Sequence, residues 1–416
     1  MALLRVTGST VRHRRTQGIL GVHGPPAPTD DLLVDQVPCT DGTDTGESQV
    51  VTGKTTTQQE AKAMDRPEKA INRREFLTSG EKATLGLAGA VYLAGAAQQP
   101  AQAKAEAEAP YRFKIGMYLN ELGLPFDESL ATAKDIGAEY VWVNRIQHGE
   151  TEVHEMNDAD ADRLAQRVDR HGLKLFLLNA GNPFKAIHLT DLKVDGLEDN
   201  ELFKHDLHRL VRAMKVAARI GVDTVGAFTF AWPGEYKARK PTWPMRWLTR
   251  GGFIADIDMQ KLKKAFTIVA EEADRHNIDV ALSQMPWNYT NTTGNFRRIV
   301  EEVGSRRLKV MWGPSDNYNS GEWDVATAGF QNVRPYLHGL HLKDLRVNNG
   351  LKLDFTYCPI GEGHVDYLTV LRNVRDHRCD AVLSLSTHFM SDQRLEAMRI
   401  NYRNLTELIR KVEAEA

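Results

Sequence analysis

The sequence predicts an α/β protein of the (β/α)8 TIM-barrel class, and three observations predict it. From Tyr111 onward, short apolar runs rich in β-branched and aromatic residues alternate with helical patterns at intervals that fit βα units. The runs are apolar throughout rather than alternating, as strands of a parallel sheet with both faces covered must be. Finally, the polar stretch His341-Leu342-Lys343-Asp344 closes the apolar run that begins at Leu337, at the carboxyl end of a strand, where a parallel barrel keeps its chemistry. An open doubly wound sheet would share the alternation, but no GxGxxG turn follows an early strand.

Taken in order, strands are expected near Phe113 to Tyr118, Tyr140 to Val143, Leu173 to Leu178, Thr224 to Phe230, Val280 to Ser283, Lys309 to Trp312, Gly339 to Leu342 and Ala381 to Leu385. Asp127 is placed to cap a helix that runs to Ile136 and stops before Gly137, and Leu207 to Ile220 carries apolar residues at three- and four-residue spacing before Gly221. A long irregular insertion follows the fourth strand, from Ala231 to about Phe253, with Trp232, Trp243 and Trp247 among Arg239, Lys240, Arg246 and Arg250. Loops after strands line the active face of a barrel, so this segment is expected as a wall or lid. Its tryptophans either stack on a ligand ring or pack the insertion against the rim.

With 416 residues and 42% hydrophobic content the chain can fill one large core, and a barrel of about 250 to 300 residues would use most of it. A net charge of −2 offers no basic face for nucleic acid. Cys39, Cys358 and Cys379 lack CxxC spacing, so neither a zinc knuckle nor a disulfide framework is expected. Residues 1–63 have no sustained period and are expected to be a disordered or mis-called extension, with Met64 as the true start. Residues 64–105 resemble a twin-arginine export signal: Arg73 and Arg74 precede an Ala- and Gly-rich apolar stretch too short to span a bilayer, and Ala101-Gln102-Ala103 offers a cleavage site. The resemblance implies a periplasmic or secreted protein, exported already folded, with no stable membrane span after cleavage. Residues 106–416 are expected to form the barrel.

Across nearly all of that region the chain resembles the xylose-isomerase-like TIM barrels, a superfamily of sugar isomerases, sugar epimerases and apurinic endonucleases. The resemblance rests on the His341-Leu342-Lys343-Asp344 run, on Trp312, Pro314, Asn317 and Gly321-Glu322, and on the Gly-flanked Glu362 in Pro359-Ile360-Gly361-Glu362-Gly363-His364-Val365-Asp366. It implies a divalent metal, Mn or Mg, held by Glu, Asp, His and Glu at the ends of strands five to eight, with carboxylates moving a proton between adjacent carbons. At those positions this chain has Ser283, Gly313, His341 and Ser386. One imidazole with two hydroxyls is a poor ligand set for a hard cation. No metal ligand is therefore assigned, the alternative being a rebuilt site using Asp316, His341, Glu362 or His388.

The candidate catalytic residues are His341, Lys343 and Asp344, with His341 either a general base or a hydrogen-bonded barrel-end histidine and Lys343 with Asp344 either functional or a structural ion pair. Trp232, Gln284, Asp316, Glu362, His364 and His388 are the candidate substrate contacts, donors and acceptors suited to a polyol. The expected protein is an exported, sugar isomerase- or epimerase-like enzyme with a non-standard site, acting on a small-molecule carbohydrate. The alternative is a non-catalytic carbohydrate-binding protein on the same barrel. A nuclease is disfavoured by charge, by export and by the missing ligands.

Overall fold

The computed structural model describes residues 109–143, 146, 151–232, 236–237, 240–241, 252–350 and 354–415. Eight parallel strands close into a barrel: β1 Lys114–Tyr118, β2 Tyr140–Val143, β3 Lys174–Asn179, β4 Thr224–Phe228, β5 Asp279–Ser283, β6 Leu308–Trp312, β7 Leu337–Leu342 and β8 Val382–Leu385. Closure comes from β8 pairing β1, with Lys114 opposite Val382 and Met117 opposite Leu385. Every expected strand is present with its ends within two residues.

Helices cover the barrel outside: α1 Phe126–Ile136, α2 Asp158–Arg170, α3 Glu201–Ile220, α4 Asp256–His276, α5 Thr293–Val303, α6 Phe330–Val333, α7 Tyr367–Asp376 and α8 Arg394–Glu413. Local chemistry sets their ends. Asn157 and Asp160 exchange side-chain and backbone hydrogen bonds at the start of α2, and Asn200 accepts from the amides of Leu202 and Phe203 to open α3. Gly221 stops α3 at φ 75°, a left-handed turn that only glycine adopts without strain. Asp127 does not cap α1, because Pro125 holds the N-cap position and Asp127 lies inside the first turn, where its carboxylate accepts from Arg167 of α2.

Inside the barrel, Tyr118, Trp142, Phe176, Leu177, Ala281, Met311 and Val382 form one packed cluster, and the larger core lies between sheet and helices. Phe184, Phe203, Phe230 and Phe266 meet with ring centroids 5.4 to 6.4 Å apart. Such pairs are worth about 0.5 to 1.5 kcal/mol each beyond their area. They pin the loops that follow β3 and β4 to α3 and α4, and so fix one side of the barrel mouth.

A hairpin between β7 and α7, Asp344–Asn349 with Asp354–Cys358, was not expected. Much of it is exposed, so burial wrote little apolar pattern into it. Trp243 and Trp247, with Arg239, Arg246 and Arg250, lie outside the described residues, as do residues 1–108 with Met64, Arg73 and Arg74. Among the described residues no helix is long and apolar enough to cross a membrane.

Candidate functional site

A pocket with about 700 Å3 of empty space, open mouth included, lies at the carboxyl ends of the strands. One wall is aromatic: Tyr118 of β1 stacks on Trp142 of β2 at 4.1 Å, and His341 of β7 stands edge-on to both at 6.0 and 5.7 Å. Trp142 is held in place by its indole N–H, which donates to Ser384 Oγ at 2.7 Å. Facing this wall are Phe228 from β4, Ser283 at the end of β5 with Met285 just beyond it, and Lys185 from the loop after β3; Glu121, Thr387, His388 and Arg394 complete the β1 and β8 side. Lys185 Nζ sits over the rings of Phe228 and Trp287 at 5.1 and 5.7 Å. Apolar faces interleaved with donors and acceptors suit a ligand that has CH faces and many hydroxyls.

His341 is the centre of the pocket chemically. Its Nε2 is buried and has no hydrogen-bond partner. Burial, with Lys343 and Lys185 adding to it, holds the imidazole well below its ordinary value, so the ring is neutral.

Lys343 lies behind His341, two residues further along the chain and 3% exposed. Its ammonium is 3.0 Å from Asp316 Oδ1 and 3.3 Å from His388 Nε2. Burial works against the charge on Lys343, but Asp316, assisted by Tyr357, outweighs it and holds the ammonium above its ordinary range. Burial raises the Asp316 carboxyl while Lys343 opposes that rise, and we take the pair as ionised on both sides. An ammonium has no acceptor, so it donates to His388 Nε2 and leaves the proton of neutral His388 on Nδ1. That nitrogen faces Glu121 Oε1 at 3.7 Å. Burial first, then Lys343 and His341, keeps His388 well below its ordinary value.

Glu121 is the acid that sequence reasoning missed. It sits in the one-turn helix Leu119–Leu122 directly after β1, and its carboxylate accepts from Ser386 Oγ at 2.6 Å and from the amide of Thr387. Its signal was plain, an acid three residues beyond the end of an apolar run, but the resembled family draws its ligands from strands five to eight. Lys185, Trp142 and Tyr118 were passed over as well.

Several candidates prove structural. Asp344 faces away from the pocket and accepts backbone N–H bonds from Leu345, Gly361, Gly363 and Val365; it knots the loop rather than joining in chemistry. Gly363 is required there because a Cβ would lie 2.1 Å from Asp344 Oδ1. Glu362 is exposed and 3.7 Å from Arg346, and His364 Nδ1 accepts from the Val347 amide in the hairpin. Neither lines the pocket. Trp232 stacks on Tyr289 at 3.9 Å and is buried, so it packs the rim. Gln284 is buried without hydrogen-bond partners for either amide atom and lies outside the pocket lining; we have no physical account of it. Asp316 and Lys343 stand behind the pocket wall, with Lys343 in contact with His388, leaving His341 and His388 in the lining itself.

The residues present do not fit the family's metal. Ser283, Gly313 and Ser386 bring no carboxylate, and among the described residues no group of three or more His, Cys, Asp or Glu side chains is placed to hold a metal ion. A Cβ at Gly313 would meet Asp316 Oδ2 at 2.5 Å, so the space of an acid at that position is already taken.

The model of the family described as xylose isomerase-like TIM barrel matches residues 130–408. Solved structures of similar fold include a xylose isomerase domain protein from Planctomyces limnophilus, at 14% identity and TM-score 0.52, with 74% of this chain and all of that one covered (100%). An L-ribulose 3-epimerase is 13% identical with TM-score 0.52, covering 73% of this chain and 97% of its own. A fusion of a xylose isomerase-like TIM barrel with 4-hydroxyphenylpyruvate dioxygenase is 14% identical with TM-score 0.52, covering 72% of this chain; the match spans 43% of that longer protein. No curated protein matches the sequence.

Proposed function

Because the chain belongs to the xylose isomerase-like TIM barrel family, we propose that it is a sugar isomerase- or epimerase-like enzyme that moves a proton with an imidazole where its family uses carboxylates. The observation that carries this reading is the buried, partnerless Nε2 of neutral His341, which lines a half-aromatic pocket at the catalytic end of the barrel. The stacked Tyr118 and Trp142 would hold the CH face of a small sugar. Lys185 and Arg394 would take its oxygens, and His341 would accept the proton from carbon beside the carbonyl. A second reading, a carbohydrate-binding protein without catalysis, draws support from the loss of three acids at 283, 313 and 386.

One experiment separates them. The protein is incubated with a panel of aldoses and ketoses in D2O, deuterium uptake beside the carbonyl is followed by NMR, and binding is measured in parallel by calorimetry. Exchange is the expected result. Binding without exchange would favour the second reading, and neither binding nor exchange would remove both.

We also propose export through the twin-arginine route, supported by Arg73 and Arg74 ahead of the Ala- and Gly-rich stretch. Changing both arginines to lysine should trap precursor in the cytoplasm; unchanged export of the double variant would end the proposal.

A further inference from the structure

We propose that the pocket is built for a sugar acid, a monosaccharide whose carboxylate lies against Arg394 while its carbonyl end lies against Lys185 and His341. The inference rests on reading this pocket as a sugar site and names the kind of sugar.

Charge is the first observation. Lys185 and Arg394 line the pocket with one acid, Glu121, and both lining histidines are held neutral. Two cations and one carboxylate leave the lining with a net positive charge, in a protein whose own net charge is −2. Glu121 does not neutralise Arg394. Its carboxylate is turned to the end of β8, where it accepts from Ser386 Oγ and the Thr387 amide and faces His388 Nδ1. Among the described residues Arg394 forms no ion pair, and its Nε donates to the carbonyl of Ser391 at 3.4 Å.

Position is the second. Arg394 is the first residue of α8, a helix of 20 residues whose N-cap, Gln393, makes no side-chain bond to the open amides. A guanidinium and the positive end of a helix therefore share one side of the pocket, a combination that favours an anion. A Cβ at Gly123 would lie 3.7 Å from Arg394 Nη1, so the guanidinium rests against the turn that follows β1.

The third observation is that the two cations stand at different ends. Lys185 sits over Phe228 of β4, whereas α8 follows β8, four strands away around the closed barrel, so the two face each other across the mouth. The carbonyl end belongs with Lys185, because Lys185 acts on His341, whose buried Nε2 has no partner, while Arg394 acts on His388. A carboxylate suits the Arg394 end better than a phosphate. The parallel N–H donors of a guanidinium match its two oxygens, and a monoanion balances the lining, whereas a phosphate monoester brings about two negative charges.

The test measures by calorimetry, on the full protein, the affinities of glucose, glucuronate and glucose 6-phosphate, and of the matching galactose set. The uronate should bind at least about tenfold more tightly than its neutral aldose, and more tightly than the phosphate. Arg394→Gln should bring the uronate-to-aldose ratio to within about twofold of one, and Arg394→Lys, which keeps the charge without the fork, should give an intermediate ratio. Equal affinity for aldose and uronate overturns the inference and leaves the sugar reading standing. A phosphate that outranks the uronate overturns the carboxylate assignment. A ratio unchanged in folded Arg394→Gln overturns the inference as well, and if that variant does not fold, a ratio unchanged in Arg394→Lys does so. Uronate binding without deuterium exchange would leave the sugar-acid assignment standing and remove the enzyme, and no binding by any of these sugars would remove both.

Discussion

Replacing His341 with Gln should lower sugar proton exchange by about 10²–10⁴-fold, the usual worth of a positioned general base, while the barrel stays folded. The ring's pKa also sets the pH profile. Burial, then Lys343 and Lys185, hold His341 well below 6.5. Activity requires the neutral ring, so the acid limb of kcat/KM should lie below pH 6.5. Stability moves in the same direction. The unfolded chain takes up protons near the ordinary histidine value while buried His341 and His388 do not, so stability is lost as pH falls below about 6.5. The raised carboxyl of Asp316 acts in the opposite sense, losing its contribution as pH rises through its folded value. A His341→Gln protein with full exchange activity, or an acid limb above pH 6.5, would rule out His341 as the base.

Removing Asp316 should have the largest effect on stability. Its partner Lys343 is 3% exposed, so Asp316→Ala leaves a cation buried and unpaired, which costs about 3–5 kcal/mol. Urea denaturation reads this as a lower midpoint with an unchanged slope. Adding Lys343→Met to Asp316→Ala should recover most of the loss, since an apolar pair of similar volume is often no less stable than a buried ion pair. If Asp316→Ala costs less than about 1 kcal/mol, water reaches Lys343 and the buried pair is weaker than its geometry implies.

Restoring acids at Ser283, Gly313 and Ser386 is a natural way to seek a metal site from sequence, but the structure changes its outcome. A side chain at 313 must displace Asp316. The triple variant should gain little metal affinity, read by calorimetry, unless Asp316 is also changed to Ala to clear that space.

Much of the architecture was legible in the chain. β2 was read with both ends correct, and β5, β6 and β8 to within one residue, because a buried parallel strand writes an uninterrupted apolar run. The hairpin Asp344–Cys358 wrote no such run and escaped. His341, which ends a strand in a recognisable motif, is placed by the structure in the pocket lining. Asp344, in that same motif, is not brought into that lining: its hydrogen bonds go to amides of a later loop. Trp232 was misread for a related reason, since an aromatic in a loop looks the same in sequence whether it faces a ligand or Tyr289.

The sequence by itself determined the barrel, the order of its strands and the residues that stand at the strand ends. These are local properties, set by hydrophobic period and by the residue at each strand end. Only the tertiary structure decided which polar side chains meet at the strand ends. Glu121 meets Ser386 across 265 residues of chain, and Lys343 finds Asp316 and His388 from neighbouring strand ends. Barrel closure places the first and last strands side by side, and no periodicity records which polar side chains will share the space that closure creates.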